Sequence, residues 1–365
     1  MEKCFAFVLP TGGERQFGGF KVVYEYANRL VSDGYKVIIK YTFPSKNRQK
    51  GFLYNLTKKI FYLFRYIILH DYKPNRWFKL NPAVKQQLVS CCDKIAKESE
   101  FADCDCVIAT GVETSYYIAS LKNIPDENKF YFIQSYETWI GVSDEYVMNS
   151  FKLPLNDIVI APYLQEKLIE VGKESVLIPN GFDFEYFSLK NPIEKRNPLH
   201  ICMLYHTLEL KRCADSIAAL KLVKEKHPNL IVNIFGFPKR PAGLPEWFHY
   251  YQSPNKEQHN FVYNDSAIFI AASRTEGMAL PPAEAMICGC ALACTNIPGF
   301  TQYAIKDKTA LLSDVYNVEQ LAENICKLIE DNDLRIKISK AGNEFIHTFT
   351  WDKAYSKLKT ALKID

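Results

Sequence analysis

Two glutamates stand eight positions apart in the stretch Ser273-Arg-Thr-Glu276-Gly-Met-Ala-Leu-Pro-Pro-Ala-Glu284-Ala-Met. An apolar run ends at Ser273, so Glu276 falls just past the carboxyl end of a strand, where open α/β sheets take their ligands. Pro281 and Pro282 suit the first turn of a following helix, because the N–H they lack would be unpaired there. The free N–H groups of that turn, with Gly277 permitting close backbone approach, make a site for an anionic diphosphate. Glu284, expected within the same turn, is the acid placed to accept from a ribose diol, as acids do in dinucleotide folds. Spacing alone says little, since two glutamates eight apart arise by chance about once in a chain of this size. The ordered context of strand, Glu-Gly, Leu-Pro-Pro, helix and Glu-Ala carries the reading. The competing reading has Glu284 complementing the helix dipole and Glu276 as an exposed loop residue.

The elements that must hold this stretch alternate β and α throughout. Cys4–Leu9 reads as a short buried strand, Gly18–Ser32 as an amphipathic helix stopping near Gly34, and Lys36–Tyr41 as the next strand. Further strands are expected at 106–109, 130–134, 158–161 and 175–178, with helices after Glu113 and Pro162. After Asn180-Gly181 the chain turns irregular through Pro192 and Pro198. It restarts with strands at 200–205, 230–235, 267–272 and 291–295 and helices at 214–226, 282–288 and 318–330. A chain of 365 residues with 48% hydrophobic and 24% charged residues folds, and its length favours two domains. The expected division is an N-terminal domain 1–185, a linker 186–198, a C-terminal domain 199–345 and a returning helix 346–365. Two such halves predict a ligand cleft between them.

Composition excludes several classes. A net charge of +4 is too mild for a dedicated nucleic-acid binder of this length. Eleven scattered cysteines, none in a CxxC pair, argue against a disulfide framework or structural zinc, and fit small core hydrophobes in a reducing cytosol. Met1 to Pro10 shows no export signal of the usual length. The apolar stretch Phe52 to Leu69 is broken by Lys58, Lys59 and Arg65, which argues against a membrane span. Asp103-Cys-Asp105 and Asp331-Asn-Asp333 look like metal motifs but sit at loop and helix boundaries, and no GxSxG or HExxH is present.

The glutamate stretch resembles the Glu-x7-Glu motif of the retaining glycosyltransferases of family 4, α/β proteins of the two-Rossmann GT-B fold. The resemblance extends over nearly the whole chain. Gly18-Gly19-Phe-Lys-Val-Val-Tyr and Gly34-Tyr-Lys-Val are similar to the family's glycine loop, first helix and second strand. Ile178-Pro-Asn180-Gly181-Phe-Asp183 resembles its interdomain signature. Pro298-Gly299-Phe300, Ala310-Leu-Leu and Thr350-Trp351 resemble its later passages. The resemblance implies that Glu276 contacts the donor sugar, Glu284 holds the ribose, and the backbone of Gly277, Met278, Ala279 and Leu280 faces the diphosphate. Lys211 takes the place of a diphosphate-binding lysine, suited to the charge a leaving nucleoside diphosphate gains.

Three departures stand out. The family's arginine is His206, and the glycine after its lysine is Arg212, a second cation or a solvent-facing residue. A histidine near the acceptor is replaced by Gln134 in Gln134-Ser-Tyr-Glu137, a version similar to polysaccharide transferases that include rhamnosyltransferases. Gln134 and Glu137 are candidates for the acceptor cleft with Gly18 and Gly19, core packing or capping being the alternative. Base selection is expected from backbone near Gly236 and a loop near Asn260.

The family expectation is a metal-independent retaining hexosyltransferase without a bound cofactor. It would use a UDP-, dTDP- or GDP-linked sugar and a saccharide or lipid-linked saccharide acceptor. The cysteine pattern places it in the cytoplasm, and the basic segment 46–80 would make it peripheral on the inner face of the membrane. The alternatives are a catalytically silent sugar-nucleotide-binding partner of another transferase, or an epimerase.

Residues 46–80 concentrate nine basic residues against one acid, Asp71, among aromatic residues that include Phe52, Phe61, Trp77 and Phe78. On a helix, Asn55, Lys58, Lys59, Tyr62 and Arg65 share one stripe and the rest is apolar. This suits an anionic membrane surface, at roughly 1 kcal/mol per basic residue. The alternative is a helix packed on its own sheet with the basic stripe in solvent. Nothing accompanies the segment to make it a nucleic-acid module.

Overall fold

A computed structural model describes residues 3–10, 17–43, 51–69, 74–91 and 95–364. The chain separates into two units, residues 1–179 with 355–365, and residues 180–354. The division falls at 179/180, where the sequence had suggested 185/186.

In the first unit the strands β1 (Cys4–Leu9), β2 (Lys36–Phe43), β3 (Lys85–Cys91), β4 (Cys106–Ala109), β5 (Lys129–Ile133), β6 (Asn156–Val159) and β7 (Ser175–Leu177) form one sheet in the order 3-2-1-4-5-6-7. All pairings are parallel. β1 is buried along its whole length, as a central strand covered on both faces must be. The helices are α1 (Gly18–Ser32), α2 (Phe52–Ile67), α3 (Val112–Ala119), α4 (Asp144–Ser150) and α5 (Pro162–Ile169). Helix α1 buries Phe20, Val23, Tyr24, Ala27 and Leu30, and ends at Gly34, whose φ of +91° suits glycine. Tyr355 and Lys359 of the last helix reach Asp33 at 2.9 and 3.3 Å.

The second unit repeats the plan with β8 (His200–Leu204), β9 (Ile231–Gly236), β10 (Phe248–Gln252), β11 (Ile268–Ala271), β12 (Ala291–Thr295) and β13 (Ala310–Ser313), in the order 10-9-8-11-12-13. Its helices are α6 (Cys213–Lys226), α7 (Lys256–Asp265), α8 (Leu280–Ile287), α9 (Pro298–Thr301), α10 (Val318–Glu330) and α11 (Asn332–Ile346), and α12 (Trp351–Leu362) leads back into the first unit. Where the chain enters and leaves this unit, Phe182 N–H donates to Phe349 O, and a Cβ on Gly181 would lie 2.4 Å from Trp351 N.

The irregular stretch read as a linker packs into the second unit. Arg196, only 6% exposed, donates to the carbonyls of Asn191, Tyr263, Ser266 and Cys288. Without hydrophobic periodicity, such packing leaves no trace in the sequence. Asn260 lies buried within α7, where a loop had been expected. The two aspartate pairs have structural partners: Asp105 accepts from Cys4 N–H, and Asp331 caps α11 by accepting from Leu334 N–H. The nine cysteines whose side chains are described are free and buried. Among the described residues, no helix is long and apolar enough to cross a membrane.

The basic aromatic segment divides. Trp77 and Phe78 pack on Tyr24 of α1, with ring centroids 5.8 and 5.3 Å away. Lys46, Arg48, Lys50, Asp71 and Lys73 lie outside the described residues.

Candidate functional site

In each sheet the strand order reverses beside the first strand, so the loops leaving two neighbouring strands part and open a crevice at their carboxyl ends. In the second unit the loop after β8 carries His206, Lys211 and Arg212, and the loop after β11 carries Ser273 and Glu276. Arg274 N–H donates to Leu210 O at 2.8 Å and ties the two loops together. Across that junction Lys211 Nζ lies 2.7 and 2.9 Å from the two carboxylate oxygens of Glu276. Ser273 Oγ donates to Glu276 Oε1 at 2.7 Å, and Thr295 Oγ1 holds Ser273 through its carbonyl. Both members of the pair are largely covered, with side chains 19% and 11% exposed. They line one recess with Ala279, Pro281, Pro282 and Phe300.

The loop is fitted closely from below. A Cβ on Gly299 would stand 2.5 Å from Glu276 Cβ and O, so only glycine lets the Glu276 backbone lie on α9. Tyr303 donates to Ala279 O at 2.7 Å, and Gln302 to Gly277 O at 3.4 Å. Sequence reasoning assigned no role to Ser273, Gly299 or Tyr303. The three-residue spacing from Ser273 to Glu276 was a readable signal; Tyr303 offered none.

Helix α8 begins at Leu280, two residues before the expected 282, which moves Glu284 into its second turn. Pro281 and Pro282 supply no N–H, and Ala279 N–H is directed at Gly299 O. The loop therefore has the amides of Gly277, Met278 and Leu280 to turn toward an anion, with Met278 and Ala279 themselves buried. Glu284 does not line the recess that holds Glu276. It is 8% exposed and accepts from Tyr263 Oη at 3.2 Å. Its charge also raises the pKa of Tyr186, second to burial. Buried Tyr303 has its pKa raised, first by burial and then by nearby charges that include both glutamates.

His206 accepts from Leu208 N–H at Nδ1, 2.9 Å away. Burial, and then the Lys211 ammonium, hold its pKa below the ordinary histidine value, with Glu276 opposing. It is a neutral imidazole with its proton on Nε2 at neutral pH. Arg212 is committed to its own helix: its guanidinium bonds Asp215 through Nε and Nη2 and Glu209 through Nη1, each at 2.8 Å, and lies over Tyr316. Its φ of +47° is a conformation that favours the glycine of the resembled family. Gly236 ends β9, where a Cβ would be 2.3 Å from Tyr205 O.

The tip of the first sheet is built differently. Gly18 and Gly19 open α1, and a Cβ on Gly19 would meet Gln134 Oε1 at 3.3 Å. Glu137 accepts from Val112 N–H, at the start of α3, at 2.7 Å. Burial, partly offset by that bond, pushes its pKa up to about 7. Among the described residues, His227, Cys326 and Glu330 have ligand-type atoms within 4.8 Å of one another. They sit at the carboxyl ends of α6 and α10, away from the strand carboxyl ends, and His227–Glu330 is a 3.1 Å ion-pair contact.

Residues 188–345 match the family model of glycosyl transferases group 1. The capsular polysaccharide biosynthesis glycosyltransferase CapM of Staphylococcus aureus is 24% identical over 234 residues, 56% of this chain and 62% of that protein. The chain spans less than two thirds of the length of the curated relatives it matches. Among solved structures, sucrose-phosphate synthase from Thermosynechococcus elongatus superposes with a TM-score of 0.74 at 15% identity, covering 99% of this chain and 98% of that one. An Anabaena protein, HepE, in complex with UDP-glucose gives 0.71 at 12% identity, covering 99% of both chains. At these identities the likeness is one of fold. The chain has the GT-B fold class of two Rossmann-like units.

Proposed function

We propose that this chain is a glycosyltransferase of polysaccharide or glycan synthesis. It moves a hexose, with retention, from a nucleoside-diphosphate sugar to a saccharide or lipid-linked saccharide. The observation that carries this reading is the Lys211–Glu276 pair at the β8/β11 switch point, inside the segment that matches the group 1 model. The relative named for capsular polysaccharide synthesis and the neighbour holding UDP-glucose support the substrate class.

The bond that breaks joins the anomeric carbon to the diphosphate oxygen, and the electron pair leaves with the diphosphate. Lys211 Nζ offers a cation for the charge gained, and the Gly277, Met278 and Leu280 amides add donors. Glu276, relieved of Lys211 by the diphosphate, stands as an anion beside the positive charge developing on the sugar. The acceptor hydroxyl bonds to the anomeric carbon on the face the diphosphate leaves and passes its proton to the departing phosphate oxygen. No protein nucleophile is required. Glu284, in its niche with Tyr263, holds the ribose diol.

One observation favours a second reading. His206 is neutral and Arg212 is tied to Asp215 and Glu209, so Lys211 is the cation available in this loop. A silent sugar-nucleotide binder would need no more. Release of nucleoside diphosphate from UDP-, dTDP- and GDP-sugars, with and without saccharide acceptors, separates the two readings. Acceptor-dependent release is expected from the wild type, with near-complete loss in Glu276→Ala and chiefly weaker donor binding in Glu284→Ala. Full activity in both variants would remove these carboxylates from the reaction.

A further inference from the structure

Helix α2 wears its amphipathic pattern inside out. Its polar stripe is the covered one: Asn55 is 6% exposed, and Lys58, Lys59 and Arg65 are half-buried. Tyr66, on the same side, accepts from Leu88 N–H of edge strand β3 at 3.3 Å and so ties the helix to the sheet. The opposite arc is apolar and faces outward, with Phe52 73%, Leu53 74%, Ile60 56% and Phe64 50% exposed. Leu56 and Ile67 fill the arc, and Ile68 and Leu69 continue it. Single exposed hydrophobic residues are ordinary; a contiguous arc along four turns marks an interaction surface.

We propose that α2 lies in the interface of a bilayer containing anionic lipid, with this arc toward the acyl chains. At 3.6 residues per turn, Lys58 and Arg65 stand on one border of the arc and Lys59 on the other. Basic side chains at such borders can extend to lipid phosphates while their stems cover apolar surface. No acid occurs between Phe52 and Leu69, and residues 46–80 carry nine basic residues to one acid. Sixteen residues make a helix about 24 Å long, which suits lying in the plane better than crossing. Charge also decides against a second copy as the occupant, because two such arcs facing each other would bring like-charged borders together.

This inference stands apart from the transferase reading and is tested without it. The full chain is floated with vesicles of phosphatidylcholine alone and of phosphatidylcholine with about one quarter phosphatidylglycerol. Flotation with the anionic vesicles that weakens as salt rises is expected. The combined variant Leu53→Ser, Ile60→Ser and Phe64→Ser, all exposed, should lose about tenfold or more of that binding with its melting temperature unchanged. Lys58→Gln with Lys59→Gln should instead narrow the preference for anionic over neutral vesicles. Wild-type protein that floats no better than the apolar variant overturns the proposal. So does a concentration-dependent dimer, formed without vesicles and abolished by the same three serines, which would show that a second copy covers the arc.

Discussion

The two sheets share a strand order and a crevice, yet their tips hold opposite chemistry. At the second tip a lysine and a glutamate face each other at 2.7 Å over a loop that a glycine seats on its neighbour. At the first, an amide, Gln134, packs on Gly19, and the nearby carboxylate Glu137 is set against a helix N-terminus with a pKa raised to about 7. The second tip keeps separated charge ready for an anion. The first keeps a neutral amide and a carboxyl that is only partly ionised near pH 7, a surface of donors and acceptors rather than of paired charge. Topology supplies the crevice, and a few loop residues decide what it can bind.

The contrast can be broken from its charged side first. Lys211→Met should lower kcat by about 10²–10³-fold, the usual effect of removing one group that stabilises developing charge. Gln134→Ala at the other tip should act mainly on the acceptor KM, and equal losses in kcat would erase the distinction. Next in size is Gly299→Ala. Its methyl group would overlap the Glu276 backbone, so a loss of about 1–3 kcal/mol is expected, read as a lower midpoint in urea unfolding.

Glu137→Gln sharpens the first tip through pH. The folded carboxyl titrates near 7 against an ordinary 4.5, so the unfolded state sheds its proton first. Stability therefore falls as pH rises from about 4.5 to about 7 and stays level above. Glutamine keeps an acceptor for Val112 N–H and removes the titration. Each pKa unit corresponds to about 1.4 kcal/mol, and each kcal/mol to about 2–4 °C in a unit of this size. The variant should melt higher than wild type in alkaline buffer, by up to about 7–14 °C, and no higher near pH 4.5. Smallest is Arg212→Gly: relief of its positive φ offsets the loss of its ion pairs with Asp215 and the exposed Glu209, so stability should change by less than about 1 kcal/mol. Nucleotide affinity, measured by calorimetry, should hardly move.

Much of the fold was legible because central strands are continuous apolar runs. Cys4–Leu9, Cys106–Ala109 and Ala291–Thr295 occupy the residues that hydrophobicity marks. The strands Lys85–Cys91 and Phe248–Gln252 were not foreseen. Each is the outer strand of its sheet, and edge strands carry polar residues that blur the signal. In the site, Glu276 and Lys211 were legible from context. Their direct pairing was not, nor was the place of Glu284 outside the recess, because both depend on loops that meet only after the sheet has formed.

By itself the sequence determined the alternation of strands and helices, the residues that can carry charge at the strand ends, and the two-sided character of the segment Phe52–Leu69. Those properties live in local order, where neighbours along the chain set period and polarity. Tertiary structure alone decided which side of α2 faces outward, that Arg212 serves its own helix, and that a neutral His206 leaves Lys211 to answer Glu276. Each of these is a choice among partners far apart in the chain, and burial and electrostatics settle such choices only when the packed neighbours are in place.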